Sequence, residues 1–160
     1  MRFTGPTTTI VSGMPITGEY EPSTWDWVAE QVAEYEASGG TRANTLRDTG
    51  IPIIIVTTKG HKSGKVRKLA LMRVEHEGRY ALIASKGGAP DNPGWYHNIM
   101  ADNHVMIQDG PEPFDTVARL VDGDERADWW DRAVAVFPNY AEYQEKTDRE
   151  IPVFVTDPAG

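Results

Sequence analysis

No cysteine occurs among the 160 residues, which removes disulfides, thiolate nucleophiles and cysteine-ligated metals together. No apolar run reaches the about 18 residues a membrane-crossing helix needs. The first residues include Arg2 but no apolar segment behind it, so a secretory leader is not expected and a cytoplasmic protein is. No G-x-G-x-x-G, Walker loop or G-x-S-x-G elbow is present. The four histidines, His61, His76, His97 and His104, never fall at metal-binding spacing; they read as loop or surface residues, and no metal is expected. The carboxylates Asp122, Asp124 and Glu125 read as a turn and helix cap rather than a catalytic pair.

Acidic residues are missing from one long window. The net charge is −8, yet no Asp or Glu lies between Thr49 and Val74, where 6 of the 16 basic residues fall: Lys59, Lys62, Lys65, Arg67, Lys68 and Arg73. The overall charge argues against nucleic acid or an anionic membrane as partner. The local contrast points instead to a site for a small anionic molecule.

What is present is one domain's worth of chain. Residues 1–22 read as an extended arm and 23–160 as a single domain. Ser23 or Thr24 is placed to cap a helix with Trp25, Val28, Val32 and Tyr35 on one face, stopped by Gly39 and Gly40. β-branched and alternating stretches follow at IPIIIVTT, VRKLALMRVEHEG and GRYALIAS, then HVMIQD, FDTVARLVDG and IPVFVT. Helices are predicted from Pro93 to Ala101, with Asp91 or Asn92 as cap, and from Asp124 to before Pro138. The short connections imply a mainly β, α+β fold: an antiparallel sheet closed toward a barrel, with flanking helices.

With no covalent or metal chemistry evident, a bound cofactor is the natural source of reactivity. Three segments suit one. Lys62, Ser63, Lys65, Arg67 and Lys68 surround a glycine loop able to hold phosphate or carboxylate oxygens, although Arg67 and Lys68 must lie on opposite faces of a strand; a solvated hairpin tip fits the same charges. Ser85, Lys86, Gly87 and Gly88 end a strand, and glycine admits a ring or phosphate close to the backbone. Trp95 and Asn98, three residues apart, share a helix face.

VTTKGHKSGKVRKLALM, ALIASKGGAPDNPGWYHNI and VFPNYAEYQEKTDREIPVFV, in this order, resemble the deazaflavin-dependent nitroreductase family of actinobacteria, over about Ile51 to Val155. The resemblance implies a split β-barrel and the anionic deazaflavin coenzyme F420. It further implies that Lys62, Ser63 and Arg67 hold the phosphate and acidic tail, and that Ala70 and Leu71 lie beside the deazaflavin. Ser85, Lys86, Gly87 and Gly88 would line its phosphate or ring side, with Trp95 and Asn98 completing the wall. Tyr140 and Tyr143 correspond to tyrosines of the substrate pocket and are the catalytic candidates. His61 stands where relatives often carry Arg, Ala70, Leu71 and Met72 where they often carry Pro and an aromatic, and Phe137 where some carry Tyr. The pocket is thereby more apolar, so an enone C=C or a quinone is expected as acceptor at least as much as a nitro compound. The implied activity is hydride transfer from reduced F420 to a small electron-poor acceptor. An FMN-dependent split-barrel oxidoreductase and a non-catalytic F420 carrier are the alternatives, and a homodimer is possible.

Overall fold

The computed structural model describes residues 16, 18–46 and 49–159. Most of the expected arm, residues 1–15 and 17, therefore lies outside the described residues. Its end is ordered against the sheet: Tyr20 forms a parallel bridge with Val66, and the Glu21 and Val66 amides donate to the Val66 and Glu19 carbonyls at 2.9 and 2.8 Å.

In chain order the elements are α1 (Asp26–Ser38), β1 (Ile53–Lys59), β2 (Val66–Met72), β3 (Glu75–His76) and β4 (Arg79–Ile83). A 3-10 turn (Lys86–Gly88), α2 (Gly94–Ala101), β5 (His104–Gln108) and β6 (Pro113–Leu120) follow. The chain ends with α3 (Gly123–Val136), α4 (Asn139–Glu145) and β7 (Val153–Pro158). The seven strands form one sheet, ordered β2-β1-β5-β6-β7-β4-β3, in which every strand pair is antiparallel. The expected α+β class and antiparallel sheet are therefore what the chain forms.

Three strands are buried on both faces, which explains their unbroken apolar sequences. On β1, Ile54 and Val56 join Leu82, Ile99, Ile107 and Phe154 inside the curled sheet, while Ile53 and Ile55 pack with Val32 and Tyr35 of α1. On β4 and β7, Leu82 and Phe154 point inward, and Ala81, Ile83, Val153 and Val155 pack with Trp129 and Ala133 of α3 and Tyr140 of α4. Helices thus shield the outer faces of β1, β4 and β7.

Several boundaries differ from the sequence reading. Helix α1 begins at Asp26, because the Ser23 hydroxyl accepts from the Trp25 amide instead of capping the helix. Trp25 was expected on the packed face; it is the N-cap residue, 64% exposed. Neither Asp91 nor Asn92 caps α2, for Pro93 in extended conformation occupies that position and both side chains are held elsewhere. The VRKLALMRVEHEG stretch divides into β2 and β3, and β3 turns back into β4 through Glu77 and Gly78, both at positive φ. The aromatic segment before β7 is itself a helix, α4.

Candidate functional site

A cleft of about 980 Å³ opens between β2, the 60–65 loop, the 85–88 turn, α2, α4 and the start of α1. Its walls contain Lys62, Ser63, Arg67, Ala70, Leu71, Ser85, Lys86, Gly87, Trp95, Asn98, Tyr140 and Tyr143, residues drawn from three separate sequence segments. Its size and mixed lining are those of a small-molecule site.

The cationic wall is built by a tight loop. Gly60 and Lys65 close it through an N–H···O bond of 2.7 Å, and the Ser63 hydroxyl accepts from the Lys65 amide at 3.1 Å. Its charges are less free than the sequence implied, since acids absent from the segment arrive in space. Lys65 meets Glu19 at 3.9 Å, Arg67 meets Glu21 at 3.5 Å, Lys68 is bonded to Glu36 of α1, and Arg73 binds Asp109 at 2.8 Å. Lys62 has no ion pair among the described residues and is exposed on the cleft. The strand alternation expected for Arg67 and Lys68 is reflected in their partners: Arg67 turns to the arm, while the Lys68 ammonium lies under α1 and 5.4 Å from the Tyr20 ring centroid.

Asn98 is 8% exposed and largely committed to the protein. Its Oδ1 accepts from the His61 amide at 3.0 Å and lies 2.7 Å from His61 Nδ1, while its Nδ2 donates to Thr58 Oγ1 at 3.3 Å. It pegs the cationic loop to α2. His61, read from sequence as a mere loop residue, is the side chain it fixes, and no spacing rule pointed to that pair.

The second wall is a left-handed turn. Lys86, Gly87 and Gly88 have φ of 48, 64 and 85°, conformations that disfavour any residue with a Cβ. Lys86 tolerates it, with its ammonium on Asp91 at 3.0 Å, a contact that lowers the Asp91 pKa below its ordinary value. The two glycines serve different ends. A Cβ on Gly87 would meet nothing within 4 Å, leaving its face open to the cleft. Gly88 is buried behind the turn, where a Cβ would sit 2.7 Å from the Tyr143 carbonyl oxygen. Expected to line the cofactor, it instead allows α4 to pack against the turn.

Arg149, which the sequence reading missed, holds this turn together. Its guanidinium donates to the carbonyls of Ala84 (3.2 Å), Ser85 (2.8 Å) and Ala89 (3.0 Å) and to Asn92 Oδ1 (2.8 Å). Gln144 of α4 fixes the segment that carries it, donating to the Arg149 carbonyl at 2.8 Å and accepting from the Ile151 amide at 2.9 Å. A lone arginine in TDREIP carries no local signal for contacts about sixty residues away.

The far end of the cleft is aromatic. Phe137 packs edge-on to Tyr140 at 5.0 Å and beside Tyr143 at 5.9 Å, with Trp25 and Trp27 at the mouth. Tyr140 is 2% exposed; burial, then the neighbouring Tyr143, raises its pKa well above the ordinary value. Its hydroxyl makes no hydrogen bond to the described residues. Leu69, Ala70, Leu71, Met72 and Trp95 give the cleft an apolar floor. Among the described residues no three His, Cys, Asp or Glu side chains converge on a metal position, and no helix is long and apolar enough to cross a membrane.

Residues 27–158 match the family described as F420H(2)-dependent quinone reductase. The F420H(2)-dependent quinone reductase Rv1261c of Mycobacterium tuberculosis is 36% identical over 107 residues, 65% of this chain and 72% of that protein. A solved F420-H2 dependent reductase (FDR-A) is similar with a TM-score of 0.63 and 53% identity, covering 66% of this chain and 94% of the other. A structure described as a domain-swapped dimer gives a TM-score of 0.66 and 48% identity, over 84% of this chain and 100% of that one.

Proposed function

This chain belongs to the F420H(2)-dependent quinone reductase family, and from that premise we propose that its cleft binds coenzyme F420 and reduces a quinone-type acceptor. The observation that carries the reading is the convergence of the cationic loop, the open Gly87 turn and the tyrosine pair on one cleft. The fold is the split barrel of that family.

The donor set fits a molecule with a flat ring and an anionic tail. Lys62 offers a cation with no ion pair among the described residues, Ser63 a hydroxyl, and Arg67 a guanidinium bound only loosely to Glu21 at 3.5 Å. These residues take the phosphate and acidic tail through charge-assisted hydrogen bonds. Gly87 would let the ring or phosphate approach the backbone closely, Lys86 would add charge there, and Ala70, Leu71 and Trp95 would supply apolar contact. When bound, the reduced deazaflavin supplies a hydride for an electron-poor carbon of the acceptor.

The protein's own work is positioning and proton control. Phe137, Tyr143 and the two mouth tryptophans favour a flat apolar acceptor over a charged one. Tyr140, held protonated by burial, donates a hydrogen bond toward an acceptor oxygen as negative charge develops there. The apolar floor limits water beside the reacting carbon.

The test is a fluorescence titration with F420 and, separately, with FMN, followed by turnover with quinone, enone and nitroaromatic acceptors. Micromolar F420 binding with quinone reduction is the expected result. Absence of F420 binding removes the reading, FMN binding alone replaces the cofactor, and tight F420 binding without turnover leaves a carrier. Homodimerisation, which the domain-swapped relative supports, is read by light scattering of the same sample.

A further inference from the structure

We propose that His61 is a proton-dependent ligand for the anionic part of the cofactor, so that binding takes up a proton at His61 Nε2. The inference rests on the F420 reading above but is carried by the His61–Asn98 geometry.

Asn98 fixes which ring nitrogen holds the proton in neutral His61. The Asn98 amide cannot be turned around, because its Oδ1 accepts from the His61 backbone N–H at 3.0 Å and its Nδ2 donates to Thr58 Oγ1 at 3.3 Å. His61 Nδ1 lies 2.7 Å from that same Oδ1, which can only accept. Nδ1 therefore carries hydrogen in the neutral ring, and Nε2 is left with a lone pair. Nε2 makes no hydrogen bond to the described residues, and His61 lines the cleft beside Lys62 and Ser63.

The two protonation states then differ sharply toward an anion. Neutral His61 presents a lone pair, which repels a phosphate or carboxylate oxygen. Protonated His61 keeps its bond to Asn98 and gains a cationic N–H donor at Nε2. Histidine is the side chain whose ordinary range places this change near neutral pH.

Other charges face the same space and set its background. They are Lys62 on the loop, Arg67 and Lys68 on β2, Lys86 on the turn and Glu21 on the arm. From α2, the His97 ring lies 5.8 Å from the His61 ring and is itself edge-on to Tyr96 at 5.1 Å. Among the described residues, His97 is thus the other histidine able to impose a pH dependence on this corner.

His61→Asn is the discriminating variant. Its side-chain amide can keep a donor near the place of Nδ1, and with it the bond to Asn98, while removing Nε2. F420 binding is measured by fluorescence from about pH 5.5 to 8.5, alongside calorimetric proton uptake in two buffers. The parent is expected to lose about tenfold more affinity than His61→Asn as pH rises, the scale of one charge-assisted hydrogen bond. It should also take up more protons on binding. Titration of the cofactor itself appears in both proteins and cancels.

Superimposable profiles overturn the proposal, as does a pH dependence that disappears in His97→Gln and survives in His61→Asn. His61→Gln, whose amide falls near the place of Nε2 and cannot gain a proton, provides a second comparison of pH dependence if the Asn variant melts below the parent. Binding by neither protein at any pH marks failure of the F420 reading itself, and the inference falls with it.

Discussion

Arg149→Ala removes four hydrogen bonds from one turn: those to the Ala84, Ser85 and Ala89 carbonyls and to Asn92 Oδ1. Bonds with one charged partner contribute roughly 1.5–3 kcal/mol each. Their sum overstates the loss, because the bonds share one side chain and water reaches this half-buried site. A destabilisation of about 3–5 kcal/mol is expected. Lys86, at φ 48°, adds a second consequence. Its left-handed backbone costs about 1–2 kcal/mol and persists only while its surroundings hold it. Without the clamp the turn relaxes, and the Lys86–Gly87 edge of the cleft moves. Urea unfolding followed by tryptophan fluorescence reads the first effect. At an m value of about 2 kcal/mol per molar, the midpoint falls by about 2 M. F420 titration of the folded fraction reads the second, with affinity expected to fall by at least about tenfold. Arg149→Lys, which keeps the charge and loses the fork, should lie between parent and alanine variant in both. A stability loss below about 1 kcal/mol together with unchanged binding would refute the clamp.

Four further substitutions separate the parts of the site. Gly88→Ala combines positive φ with a 2.7 Å clash against the α4 backbone and should cost about 2–4 kcal/mol, whereas Gly87→Ala meets open space and should cost about 1–2; thermal melts of the pair that fail to differ would contradict this division. Lys62→Ala should weaken F420 binding about tenfold at low salt and less as ionic strength rises, measured by fluorescence at two salt concentrations. Burial raises the Tyr140 pKa, so the folded chain keeps a proton that the unfolded chain releases above pH 10. Stability should therefore be full below pH 10 and fall above it, and Tyr140→Phe should lessen that slope by up to about 1.4 kcal/mol per pH unit, read by unfolding at stepped alkaline pH.

The strands were legible because their composition reports two-sided burial: IPIIIVTT has an apolar residue for each face of β1. Helix starts were less so. Ser23, Asp91 and Asn92 all look like caps, but their oxygens bond an amide two residues on, Lys86 and Arg149. The first two are local competitors that a cap pattern alone does not rank, and only the Asn92–Arg149 contact is tertiary. At the site, the charged loop and glycine turn stood out by composition. What stabilises them did not, because Arg149, Asn98 and the Gly88–Tyr143 contact act across about forty to sixty residues of chain. The same limit hid the acids opposite the basic window. Glu19, Glu21 and Glu36 each precede their basic partners by more than thirty residues in sequence and meet them in space.

That convergence has a measurable consequence at Glu21. Its carboxylate lines the cleft and meets Arg67 at 3.5 Å, with both side chains well exposed. An exposed pair of this kind contributes only about 0–1 kcal/mol, so its removal should scarcely alter folding. It does, however, occupy the guanidinium proposed to hold the anionic tail, and it adds a negative charge to the same cleft. Glu21→Gln should therefore tighten F420 binding, by about two- to fivefold at low salt, converging with the parent as screening grows. Arg67→Ala in the same background should abolish the gain if the competition acts through Arg67. If the gain survives that second change, Glu21 opposes the ligand only through its general field. If Glu21→Gln weakens binding, the Glu21–Arg67 pair instead holds the guanidinium in its binding position, and the competition is refuted.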